Sequence, residues 1–231
     1  LYSGLTGNVT FTGENDYIIN RTASGFSGNV TIDNAGVSLN GNRLTGDTIT
    51  ITNNGVLSGT GSVGNYSTGS VKLHSSATIR PGSSTGASGT MTIVSDNGLE
   101  LSAGSTLVFN VGGTSQSTRL VVNGAISGTA DIVVYVSGSN NSTRNQTYTL
   151  VTYGGGNYNL ADRTVYSNGQ KPFYGSWDIQ SNYVNNSGQQ TNTTVLTIYG
   201  YVEGDFYWNG SITTPVGHVV GGNGTWGGQR N

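Results

Sequence analysis

The sequence predicts an all-β protein: a right-handed parallel β-helix (β-solenoid) with a wider or hairpin-bearing aromatic C-terminal section. Three observations carry that prediction. Short runs alternate apolar and polar residues with a period of two, the pattern of half-buried strands. The runs recur about every 20 residues, inside the range of solenoid repeats. Between them stand Asn, Asp, Gly and Ser, which suit tight corners because they tolerate positive φ or bond their own backbone. No window carries apolar residues at the i, i+3, i+4, i+7 spacing of a helix over several turns.

In order, the strand candidates are Val9-Thr10-Phe11, Tyr17 with Ile19, Val30-Thr31-Ile32, Val37-Ser38-Leu39 and Ile49-Thr50-Ile51. Val71-Lys72-Leu73, Met91-Thr92-Ile93, Leu99-Glu100-Leu101, Leu107-Val108-Phe109 and Ile132-Val133-Val134 follow. Asn34-Ala35-Gly36, Asn53-Asn54-Gly55, Asp96-Asn97-Gly98 and Asn123-Gly124 read as turns. Val30, Ile49, Val71 and Met91 each open a strand at the repeat spacing and are expected to stack in register, coil on coil, at about 4.8 Å. A second short strand follows each: Val37–Leu39, Val56–Leu57, Ile79 and Leu99–Leu101. An antiparallel sandwich with Asn-Gly hairpins competes, favoured by strand spacings near about ten residues in places. The same-phase repeat favours the solenoid.

Hydrophobic residues make up 33% and charged residues 9% of the 231, both low for a globular chain. Disorder is not the reading, because net charge is only -2 and 13 tyrosines are present. A narrow core under a Ser/Thr/Asn surface is. Cysteine is absent, which removes disulfides and thiolate metal sites and suits export as an unfolded chain. The near balance of charge gives no footprint for nucleic acid or an anionic membrane. No apolar run has the length of a membrane-spanning helix, so no membrane insertion by this chain is expected. The chain opens on Leu1 without a signal-peptide pattern and stops at Asn231 within a repeat-like stretch, so both ends are expected to be cut from a longer protein.

Three sections are expected: 1–138, β-helix coils; 139–200, an aromatic-rich continuation or cap; and 201–231, distinct in its Trp and Gly content. In the middle section Tyr148, Leu150, Phe173, Trp177, Leu196 and Ile198 are expected to form one apolar cluster that closes the last coils.

Gly55-Val56-Leu57-Ser58-Gly59-Thr60-Gly61-Ser62-Val63-Gly64, then Ser76-Ala77-Thr78-Ile79-Arg80-Pro81-Gly82, then Gly89-Thr90-Met91-Thr92-Ile93, resembles the autotransporter-associated β-strand repeat. Tyr207-Trp208-Asn209-Gly210 with Gly221-Gly222-Asn223-Gly224-Thr225-Trp226 is similar to the passenger-associated transport repeat, here truncated at Asn231. The resemblance implies a segment of a bacterial autotransporter passenger or adhesin, secreted or held at the cell surface. It leaves open whether the parent is a monomeric autotransporter or another large adhesin. Its role would be structural and adhesive, supporting export and display, with a host surface component, a glycan or a second copy as partner.

Chemistry is sparse. The acids are Glu14, Asp16, Asp33, Asp47, Asp96, Glu100, Asp131, Asp162, Asp178, Glu203 and Asp205. Glu14/Asp16 and Glu203/Asp205 would share a face if they lay in strands, and paired carboxylates serve glycoside chemistry. Most acids stand beside Asn or Gly, where a short side chain bonds the local backbone. His74 and His218 are the bases available near neutral pH, and neither lies by a nucleophile motif. Two isolated histidines without cysteine do not make a zinc site. The calcium nonapeptide unit needs Asp where this chain has Trp226. Gly59-Thr60-Gly61-Ser62-Val63-Gly64 satisfies Gly-x-Gly-x-x-Gly but lacks the helix that would hold a phosphate. Trp208 and Trp226 read as packed aromatics, with sugar stacking as the other role. The sequence therefore assigns no catalytic residue, no cofactor and no metal, and the chain is not expected to be an enzyme. A polysaccharide-acting β-helix enzyme and a phage tailspike-like glycan-binding module are the rival readings.

Overall fold

The structure is a computed structural model that describes residues 6–22, 26–66, 69–82, 86, 88–113, 116–137, 146–167, 171–172, 176–182 and 191–199. Among the described residues there are strands and turns but no helix. The strands stack in three parallel columns, one for each face of a solenoid, as the repeat spacing predicts.

The first column holds β1 (Val9–Thr12), β3 (Val30–Asp33), β6 (Thr48–Thr52), β9 (Ser70–Leu73) and β12 (Leu99–Leu101). Val9, Val30, Ile49, Val71 and Leu99 lie directly one above another. The second column holds β2 (Asp16–Ile18), β4 (Gly36–Ser38), β7 (Val56–Gly59), β10 (Thr78–Pro81) and β13 (Thr106–Gly112). Its inward line is Tyr17, Val37, Leu57, Ile79 and Leu107. The third column holds β5 (Arg43–Leu44), β8 (Gly61–Val63) and β11 (Gly89–Ile93), with Leu44, Val63 and Ile93 in line.

Two long strands then wrap all three faces. In β14 (Gln116–Ser137), Val122 continues the third column, Ile126 the first and Ile132 the second. In β15 (Gln146–Ser167), Tyr153, Gly156 and Val165 take the corresponding places over Val122, Ile126 and Val134.

The alternation that defines the strands also builds the core. In β3, Val30 and Ile32 point inward and are fully buried, while Thr31 and Asp33 point outward. β6 repeats this with Ile49 and Ile51, and β9 with Val71 and Leu73. Each such side chain contributes about 1.5–3 kcal/mol of burial. The core is one continuous cluster from Phe26 to Ile198. The corner after the first column is made by Asn34, with φ 50°, and by Asn53 and Asn54, with φ 48° and 63°. Asparagine reaches this left-handed region more readily than other side chains.

One expectation is corrected. Met91 does not continue the line of Val30, Ile49 and Val71. It sits in the third column, against Gly61 below and Leu120 above, and Leu99 stands over Val71. Leu99–Leu101 likewise belongs to the first column, and Leu107 takes the place expected for it in the second. The cause is coil length. Ile49 to Val71 is 22 residues, whereas Val71 to Leu99 is 28. The third-face strand has grown from the two residues of β5 to the five of β11. A ruler of about 20 residues therefore slips onto the wrong face.

The C-terminal section turns antiparallel. β18 (Thr193–Ile198) runs against the start of β15, pairing Tyr148 with Leu196 and Gln146 with Ile198. β17 (Trp177–Gln180) runs against β18, and β16 (Lys171–Pro172) against the end of β15. Antiparallel addition occupies a sheet edge that would otherwise accept another strand. Tyr148, Leu150, Leu196 and Ile198 are buried in the common core and Trp177 packs on it, as expected of the aromatic section. Phe173, the sixth residue expected in that cluster, lies outside the described residues, as does the section 201–231.

Candidate functional site

Among the described residues, the outward side of the second column carries the candidate site. Because Tyr17, Val37, Leu57 and Ile79 point inward, their flanking residues face out in two parallel rows. One row is Asp16, Gly36, Val56 and Thr78, and the other is Ile18, Ser38, Ser58 and Arg80. Successive members are one rung apart, about 4.8 Å, so Ile18 and Arg80 are separated by about 14 Å. A groove of about 560 Å³ crosses these four coils, with Asp16, Ile18, Ser38, Ser58, Thr60 and Arg80 along it.

Glycine makes the groove deep. Gly36 lies directly under the Asp16 carboxylate, and a Cβ at 36 would collide with it. Gly59 has φ 95°, and a Cβ there would come within 3.1 Å of Ser38 Oγ. Both positions keep the floor bare. Tyr17 is held beneath by a hydrogen bond from its hydroxyl to the Thr12 carbonyl, 3.0 Å, and by its tilted contact with Phe11.

The groove is polar but sparsely charged. Asp16 stands at one end and Arg80 at the other, three rungs apart. Arg80 Nε is buried and has no hydrogen-bond partner among the described residues. Ser58 Oγ donates to the Val37 carbonyl at 3.4 Å, which leaves its lone pairs as acceptors. Backbone groups along these strands are already engaged between coils: Ile19 N–H to Ser38 O, Leu39 N–H to Ser58 O and Gly41 N–H to Thr60 O, at 2.8–3.0 Å. Recognition here falls to side chains.

The residues singled out by sequence are scattered. Glu14 lies in the bend before β2 and Asp16 opens β2, so the two do not share a strand. Asp96-Asn97-Gly98 is a turn, with Gly98 at φ 71°. Two other acids bond across coils, Asp33 against the expectation that an acid beside Asn bonds locally. Asp33 Oδ1 accepts from Asn53 Nδ2 at 2.9 Å, and Asp131 Oδ1 from the Asp162 N–H at 3.2 Å. Each bond ties one coil to the next. Asp178 accepts from Gln180 Nε2, and Glu100 pairs with Lys72 at 3.3 Å across coils. His74 is exposed just past β9. Gly59-Thr60-Gly61 forms the corner between β7 and β8 and Gly64 follows β8, with Gly59, Gly61 and Gly64 all at positive φ. Among the described residues no three His, Cys, Asp or Glu side chains come together as a metal site would need. Glu203, Asp205, His218, Trp208 and Trp226 lie outside the described residues.

Sequence reading missed Arg80, Ser38, Ser58 and Thr60. For Ser38, Ser58 and Arg80 the available signal was their recurrence, about 20 residues apart, one position after each inward residue of the second strand; Thr60, just past β7, carries no such signal. No protein-family model, no curated protein and no solved structure matches this chain.

Proposed function

We propose that the chain is a structural and adhesive segment of a secreted bacterial surface protein, an autotransporter or adhesin passenger that supports export and holds a binding face outside the cell. The observation that carries this reading is the continuous register from Val9 through Ile126 to Gly156, which makes a stiff stack of coils. The outward positions of the first column include Thr10, Thr12, Thr31, Thr48, Thr50, Thr52 and Ser70, which offer hydroxyls to a partner. The absence of cysteine is in keeping with passage through a membrane as an unfolded chain. The partner is a glycan, a host surface component or a second copy.

The rival enzymatic reading needs an acid and a base facing one bond. Among the described residues Asp16 is the one carboxylate along the groove, and Arg80 at the far end is a hydrogen-bond donor only. The test has two arms. Antibody raised against the chain should label intact source cells, and the purified chain should give no product from pectins, alginate or common glycans. Label that appears only in permeabilised cells sinks surface display. Cleavage abolished by changing Glu14, Asp16, Glu203 or Asp205 establishes the enzyme instead.

A further inference from the structure

We propose that the groove on the second face binds a short carboxylate-bearing glycan laid along the solenoid axis, with the carboxylate on Arg80. This assignment rests on reading the chain as an adhesive segment and names the chemistry of the ligand.

Four features define that ligand. The row Ile18, Ser38, Ser58, Arg80 spans about 14 Å on a straight line, so the ligand is linear and longer than a single sugar ring. Arg80 lines the groove and supplies a planar fork of donors through its terminal guanidinium nitrogens. A carboxylate is the planar acceptor that matches such a fork with two parallel bonds. Ser38, Ser58 and Thr60 present hydroxyls between the ends; Ser58, which donates to the Val37 carbonyl, accepts from a sugar hydroxyl, and Ser38 and Thr60 can donate or accept. At the far end Asp16 accepts hydrogen bonds only, while Ile18, 60% exposed, offers an apolar surface to the C–H face of a ring.

Other ligand classes fit less well. An extended peptide binds a sheet by adding to a free edge. Here β4, β7 and β10 are interior to the column and their N–H and C=O groups are spent between coils, and a peptide added to β2, the outermost described strand of that column, would run parallel to the strand and so across the axis of the groove. A nucleic acid would need several cations to hold its phosphates. The groove holds one, opposed by Asp16, in a chain of net charge -2. A wholly neutral glycan leaves Arg80 without its matching acceptor.

The test is calorimetric titration of the purified chain with trigalacturonic acid, and with cellotriose as the neutral probe. Wild type should bind the acidic trisaccharide about tenfold or more tighter than the neutral one, and added salt should narrow the gap. Arg80→Gln should bring the acidic probe down to the neutral level, and Arg80→Lys should fall between, since it keeps the charge and loses the fork. Ser58→Leu places bulk in the middle of the groove and should block the acidic probe while Arg80 is intact. It also decides the matter if Arg80→Gln fails to fold. No measurable binding, equal affinity for both probes, or full binding by folded Ser58→Leu overturns the assignment. Those outcomes leave surface display standing, because that is read by labelling intact cells.

Discussion

Tyr158 Oη lies 2.5 Å from Thr194 Oγ1, both side chains buried, 36 residues apart in sequence. Tyr158 belongs to the last coil, and Thr194 to the antiparallel strand laid over it. The pair fastens the end section to the stack. Tyr158→Phe leaves the Thr194 hydroxyl buried without this partner, which costs about 1–3 kcal/mol. A thermal melt should show that loss, and Tyr158→Phe with Thr194→Val should recover part of it. Full additivity of the two changes would contradict a direct pairing.

Alkaline pH should loosen the same end. Burial pushes the hydroxyls of Tyr148, Tyr153 and Tyr158 above the ordinary value of 10.0, Tyr158 furthest. The folded state holds these protons more tightly than the unfolded state. Their contribution is therefore complete below pH 10 and is lost as pH rises through the folded values. Melting temperature attributable to these groups should be level from about pH 8 to pH 9 and fall above about pH 10. Tyr158→Phe should flatten the fall. An alkaline limb that is the same in wild type and Tyr158→Phe would assign the loss elsewhere.

Core and surface substitutions on adjacent coils should differ sharply. Ile49 has no exposed surface and stacks between Val30 and Val71. Ile49→Ala should cost about 2–5 kcal/mol. Lys72 and Glu100 form an ion pair 3.3 Å long, but their side chains are 41% and 62% exposed. Lys72→Met should cost under about 1 kcal/mol. Denaturant titration of both variants checks the order, and an equal loss in the two would mean that Ile49 is not in the core.

Removing Trp177 should act locally. Its indole packs half-buried on the cluster of Tyr148, Leu196 and Ile198. Trp177→Ala should cost at or below the lower end of the 3–5 kcal/mol typical of a buried tryptophan. In a stacked array the damage stays near its origin. Hydrogen exchange should lose protection in 146–199 while 30–110 stays protected. Equal loss along the whole chain would show a single cooperative unit instead.

The early coils were readable because each is about 20 residues long and each strand keeps strict alternation. Val30, Ile49 and Val71 fall in phase, and Asn34 and Asn53 mark the corner between faces. Legibility failed where coil length changed. Periodicity along the chain gives spacing but not face, so the lengthened coil put Met91 where Leu99 belongs. The antiparallel end was visible as aromatic enrichment, since large side chains fill the core where, among the described residues, antiparallel strands take the place of a parallel coil. Its pairing partners, such as Tyr148 with Leu196, are too far apart for local patterning to find. The groove was illegible for a related reason: Asp16, Ser38, Ser58 and Arg80 come from four coils, and none carries a motif by itself. Asp33, beside Asn34, was read as bonding its own backbone, whereas it reaches the next coil, a relation that exists only once the register is known.

The register itself has the most direct test. Lys72 and Glu100 are aligned neighbours on the outer side of the first column, whereas Thr92 lies on the third. Aligned rungs stand about 4.8 Å apart, within the Cα separation that a disulfide spans. The chain has no cysteine of its own, so introduced pairs report cleanly. Under mild oxidation Lys72→Cys with Glu100→Cys should close a disulfide in the folded protein, and Lys72→Cys with Thr92→Cys should remain reduced. A disulfide in the second pair and none in the first would contradict the three-column solenoid, and with it the alignment of Ile18, Ser38, Ser58 and Arg80.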